Sequence, residues 1–182
     1  MMKILVIGES CNDIFCYGTC DRLCPEAPVP VFNPTKTLTN PGMAMNVQKN
    51  IESLGFKTDI HTNSTWEQIR KTRYIDYRTN YMFMRFDEGD DSYGSFSDLN
   101  NIDYSKYDAV IISDYNKGFL DYEAIHSIGL KHDCVFLDTK KILGDWCETV
   151  KFIKINKYEF ERSKYSVVSN IKEKLIVTLG SE

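Results

Sequence analysis

Apolar runs of strand length alternate along this chain with segments of helical spacing. "KILVIG", Lys3 to Gly8, is unbroken and ends in glycine, the pattern of a parallel strand buried on both faces. In "NPGMAMNVQKNIESLG", Met43, Val47, Ile51 and Leu54 recur at helical spacing. Pro41-Gly42 opens that predicted helix and Gly55 stops it. "KTDIHT" predicts a short strand. "KTRYIDYRTNYMFMRFDEGD" places two stretches of β-branched and aromatic residues around Thr79-Asn80, which predicts an antiparallel hairpin. Its faces both carry polar groups, as suits a flap over a ligand better than a central sheet.

After Asp103 the rhythm becomes strand, helix, strand. "DAVIIS", "CVFLD" and "KFIKIN" are predicted strands. "DYEAIHSIGLK" is a helix with Ala124, Ile125, Ile128 and Leu130 as its apolar side. "KYEFERSK" is a helical turn that Asn156 caps, "VVSNIKEK" a short helix, and "LIVTLG" a final buried strand. The proline-rich "PEAPVPVFNP" excludes a helix and suits an extended, edge-like segment. Strands alternating with helices predict an α/β fold with a mostly parallel sheet. The hairpin and the proline-rich segment form its appendage.

With 182 residues, the chain is long enough for one domain with a real core. A net charge of −4, with no basic run or stripe, argues against nucleic acid or an anionic membrane as partner. The apolar runs are too short to span a bilayer. "MMKILVIGES" lacks the long apolar stretch of a signal peptide, so the expected location is the cytoplasm. Cys11, Cys16, Cys20 and Cys24 crowd the first 24 residues without the C-x2-C pairs of a zinc knuckle. All six cysteines are read as free thiols.

Ligands of open α/β sheets bind beyond the carboxyl ends of the strands. Those ends carry Asp13; Asp114 and Lys117; Lys140; Asn156 and Glu159; and Thr178 and Gly180. Such a set suits a phosphorylated or polyhydroxylated ligand. Asp13 and Asn46 offer directed hydrogen bonds to sugar hydroxyls. Lys117 and Lys140 neutralise phosphate. Asn156 and Glu159 offer oxygen ligands to Mg2+, directly or through water.

The stretches "GESCNDIFCYG", "RLCPEAPVPV", "PGMAMNVQKNIESLG", "SDYNKG", "LDTKK", "KINKYEFE" and "IVTLGS" together resemble the ribokinase-like (PfkB) carbohydrate kinases. Within that family they look most like the heptose-7-phosphate kinase half of the bacterial ADP-heptose synthesis enzymes. The resemblance implies a ribokinase-like α/β domain over residues 1–182, with a β-flap from about 14–35 and 71–88 and the C-terminal part of the family fold absent. It implies transfer of phosphate from ATP, with Mg2+, to a hydroxyl of a sugar or sugar phosphate. Position by position, Asp13, Gly42 and Asn46 bind the sugar, and Asp114 lies near it. Lys71, Arg73 and Arg85 on the flap contact a sugar phosphate. Asn156 and Glu159 organise Mg2+ and the phosphates, and Thr178 and Gly180 contact the nucleotide. The flap also implies a homodimer.

Three departures accompany the resemblance. Met43 replaces the second glycine of the family's pair. The bridge "NSTWEQIR" is shorter than the family's segment at that place. The family's GAGD motif, whose aspartate is the general base, follows the last stretch matched. Little or no turnover is therefore expected of these residues alone. The alternative is a non-catalytic sugar- or sugar-phosphate-binding, dimerising remnant of such a kinase.

Overall fold

The computed structural model describes residues 2–180, which form two sheets. The larger is built from β1 (Lys3–Gly8), β4 (Lys57–His61), β7 (Ala109–Asp114), β8 (Val135–Thr139), β9 (Phe152–Asn156) and β10 (Leu175–Thr178). Its order is β10-β9-β8-β7-β1-β4, and every pairing is parallel. The smaller has the order β3-β2-β5-β6, from β2 (Ser10–Thr19), β3 (Asn33–Met43), β5 (Arg70–Asp76) and β6 (Met82–Glu88). Here β2 runs antiparallel to β3 and parallel to β5, and β5 and β6 form the predicted hairpin. Asn80 takes the positive φ of 58° that its turn requires.

Alternation along β1 explains the layering. Leu5 and Ile7 enter one core with Val110, Ile112, Leu137 and Ile153. Ile4 and Val6 enter another with Ala44 and Ile51 of α1 (Ala44–Ser53). The first core is closed by Ile125 and Ile128 of α2 (Tyr122–Lys131), so these helices lie on opposite faces. Two short helices, α3 (Lys157–Ser163) and α4 (Ser169–Lys172), precede β10.

The structure corrects several sequence expectations. Pro41 and Gly42 do not open a helix: they lie near the end of β3, where Gly42 pairs with Cys11. A Cβ on Gly42 would lie 2.7 Å from Cys11 Sγ, so the pairing itself needs glycine. The helix begins at Ala44, and Met43 sits outside it at φ 58°, ψ −125°, a backbone region costly for a side chain. Leu54 and Leu130 are exposed, since each falls at a helix end beyond the packed stripe. Ile176 is also exposed, because β10 is the edge of the sheet rather than a buried strand.

Candidate functional site

The flap sheet folds over the carboxyl ends of β1, β7 and β8, and a cavity of about 280 Å3 lies between. Register decides what the flap shows it. Asp13 pairs with Lys71, and Lys71 with Asp87; Arg73 pairs with Arg85. Strand alternation turns all five toward one face. They line the cavity together with Met43, Tyr115, Lys117 and Lys140 from the main-sheet side.

Five cations therefore meet around one space: Asp13, Asp87 and Asp90 hold four of them, and Glu159 holds Lys140. Arg73 Nη1 donates to Asp13 Oδ1 at 2.6 Å, and its guanidinium stacks 5.0 Å from the Phe15 ring. Arg85 grips Asp87 with both Nε and Nη2, at 2.7 and 2.8 Å. The Arg85 hydrogen bond holds the Asp87 carboxyl below the usual carboxylate range. Lys71 is almost fully buried and reaches Asp87 at 3.4 Å and Asp90 more closely. Asp90 also takes Lys117 Nζ on its other oxygen and the Tyr93 hydroxyl at 3.0 Å. Burial works to raise its pKa, but the hydrogen bonds from Lys117, Lys71 and Tyr93 outweigh it and bring the value down to about 2. Asp90 thus ties the flap, through Lys71, to the loop after β7, through Lys117.

A second cleft of about 270 Å3 opens on the far side of Asp13, lined by Phe15, Asn40, Pro41, Asn46, Lys49 and Asn50. Asp13, held by Arg73, is the residue shared by the amide-rich cleft and the cation-rich cavity. Of the residues singled out from sequence, Asp13, Lys71, Arg73, Arg85, Lys117 and Lys140 share the cavity, and Asn46 shares the cleft with Asp13. Gly42 lies behind them, its Cα hydrogens facing Cys11 and the Asp13 carboxylate.

Asp114 is placed differently. Its buried carboxylate takes Lys141 Nζ at 2.8 Å, the Asn116 N–H at 3.0 Å and the Thr139 hydroxyl. It lines neither space, and it fixes the loop that carries Tyr115 and Lys117. Asn156 and Glu159 form a reciprocal capping box at the start of α3, each backbone N–H donating to the other's side chain at 2.8 Å. Glu159 Oε1 also accepts from Lys140 Nζ at 2.9 Å. With both Glu159 oxygens engaged, a directly chelated ion does not fit this pair. A hydrated Mg2+ does fit, because each oxygen keeps a second lone pair. Among the described residues no cluster of three or more His, Cys, Asp or Glu side chains has metal-binding geometry. The Thr178 hydroxyl donates to the Ile155 carbonyl at 3.4 Å, and Gly180 turns at φ 72°.

Sequence reasoning missed Asp87 and Asp90, while Met43, noted only as a departure from the family's glycine pair, lines the cavity. The i, i+2 spacing of Arg85 and Asp87 was the available signal for the first. All six cysteines are free; burial, then Asp13, pushes the Cys11 thiol up to about 11, so it is inert rather than nucleophilic.

No known family model matches the chain. Solved structures do. A carbohydrate kinase from Agrobacterium tumefaciens superposes with a TM-score of 0.65 at 14% identity, covering 99% of this chain and 71% of that one. The Arabidopsis thaliana ribokinase complexed with ribose and ATP gives a TM-score of 0.63 at 11% identity, covering 100% and 73%. The chain therefore has the fold of the ribokinase-family carbohydrate kinases. In sequence it is similar to the bifunctional protein HldE of Helicobacter pylori, 35% identical over 159 residues, or 70% of this chain. It spans about a third of the length of that relative. No helix among the described residues is long and apolar enough to cross a membrane.

Proposed function

We propose that the chain forms the sugar-phosphate site of an ATP- and Mg2+-dependent carbohydrate kinase of the heptose-phosphate type, working in the cytoplasm. The observation that carries this reading is that the two spaces share Asp13, which Arg73 holds. A ligand with a polyol at one end and a phosphate at the other matches both. Asp13, Asn40 and Asn46 hold hydroxyls in the cleft, while Lys71, Arg85 and Lys117 receive the phosphate. Gly42 permits the close approach of Asp13, and Asp114 keeps the Lys117 loop in place. Lys140, beside Glu159, faces the nucleotide phosphates, with hydrated Mg2+ held at Asn156 and Glu159. Thr178 and Gly180 border the nucleotide. No described residue is assigned as the general base. Phosphoryl transfer is mostly positioning and charge stabilisation, so these groups supply binding and orientation rather than proton transfer.

The test is incubation of the purified chain with ATP, Mg2+ and a panel of sugars and sugar phosphates, reading ADP release and thermal shift in parallel. Sugar phosphates are expected to stabilise the protein, and Asp13→Ala to abolish the shift. Absence of stabilisation by every compound in the panel overturns the reading.

A second reading, a non-catalytic sugar-phosphate-binding and dimerising protein, draws on the outer side of the flap. Met82, Met84 and Phe86 of the edge strand β6 are about half exposed. This apolar edge suits a second copy of the chain. Binding without ADP release, together with a dimer that Met84→Asp/Phe86→Asp converts to monomer in sedimentation, supports it. Turnover by the chain alone excludes it.

A further inference from the structure

Glu9 is the single residue between β1 and β2, and it is completely buried. Its carboxylate serves the main chain. Oε2 accepts from the Tyr115 N–H at 2.8 Å and Oε1 from the Lys117 N–H at 3.0 Å. The loop so held is unusual: Asn116 and Gly118 both have positive φ, of 57° and 93°, so alternate residues are turned and the two N–H groups converge on one acceptor. Meanwhile the Glu9 carbonyl accepts from the Ala44 N–H at 2.8 Å, fixing the start of α1 directly after Met43. Tyr115, Lys117 and Met43 all line the cavity.

We infer that Glu9 is the positioning residue of the phosphate-receiving cavity, its carboxylate setting the Tyr115–Lys117 wall and its carbonyl setting the Met43 wall. The inference rests on the reading of that cavity as a ligand site. Glu9 touches no ligand; it acts through Lys117. The carboxylate form suits this work, because two N–H donors need two acceptor oxygens. Glutamine presents one acceptor and one donor, so one of the two loop amides is left facing an N–H2 group. Burial is the main cause that raises the Glu9 pKa, and the two N–H bonds oppose it.

Two measurements test the inference separately from the function. In the isotope-labelled wild-type chain, scalar couplings across the hydrogen bonds are expected between the Tyr115 and Lys117 amide nitrogens and Glu9 Cδ. Their absence overturns the inference whatever the cavity binds. Glucose 6-phosphate then serves as probe in calorimetric titration of wild type, Glu9→Gln, Lys117→Ala and the double variant. Glu9→Gln is expected to weaken binding about tenfold, as for one displaced charge-assisted contact, and to add nothing once Lys117 is gone. An equal loss in both backgrounds means a general structural role and overturns the inference. If wild type does not bind this probe, the sugar phosphate of the panel with the largest thermal shift replaces it; if none binds, the proposed function falls, and the couplings alone decide whether Glu9 sets the loop.

Discussion

Asp90→Asn has opposite expected effects on stability and on anion binding. The Asp90 carboxyl lies at about 2 against an ordinary 3.8. At about 1.4 kcal/mol per pK unit, that difference makes the charged form worth ~2 kcal/mol to the folded state at neutral pH. The side chain is 31% exposed, so little further discount for solvent is needed. Because the folded value is depressed, this stabilisation is complete above the unfolded pKa and is lost as pH falls from about 4 to about 2. Wild type and Asp90→Asn are therefore expected to differ by ~2 kcal/mol in urea unfolding at neutral pH and to converge as the pH approaches about 2. The same substitution releases Lys71 and Lys117 from their shared carboxylate, leaving Lys71 with Asp87 at 3.4 Å. Binding of a sugar phosphate to the variant is therefore expected to tighten. A stability gap that persists unchanged at low pH, or weaker anion binding, refutes the claim that Asp90 holds those lysines by charge.

Lys141→Met strands the Asp114 carboxylate in the core, where the pair is 4% and 0% exposed. Urea unfolding should show a loss of ~3–5 kcal/mol, much of it recovered in Lys141→Met/Asp114→Asn. Asn156→Ala removes half of the capping box and should lower stability by ~1 kcal/mol by the same assay. Gly42→Ala brings a methyl within 2.7 Å of Cys11 Sγ and 3.0 Å of Asp13 Oδ2. It should destabilise the protein by ~1–3 kcal/mol and reduce the sugar-phosphate thermal shift as Asp13 is displaced.

The half of the fold after Asp103 was legible because its strands are continuous apolar runs that need no distant partner to be recognised. The hairpin was legible from Thr79-Asn80 and the β-rich stretches around it. What stayed hidden depends on pairing remote in sequence. The flap was placed from about residue 14, yet its first strand begins at Ser10, because β3 and β5 border residues 10–19 on both sides. Gly42 looked like a helix opener for the same reason: its contact with Cys11 lies in another strand. The site divides along this line too. Asp13, Lys117 and Lys140 follow from the strand-end rule, whereas Lys71, Arg73 and Arg85 entered only through the family resemblance. Asp87 and Asp90, inside "RFDEGDD", were not singled out from the sequence: the register of β5 and β6 aims Asp87 inward, and Asp90, two residues past β6, meets Lys71.

Only Glu9 separates β1 from β2, and no residue separates β3 from α1. The flap is thus joined to the main sheet there like a cantilever, without slack in the chain. A rotation of the flap must be taken up as torsion at Glu9 and Met43; Glu9 also grips the opposite wall of the cavity, and Met43 lines it. Opening above and loosening below are one mechanical event.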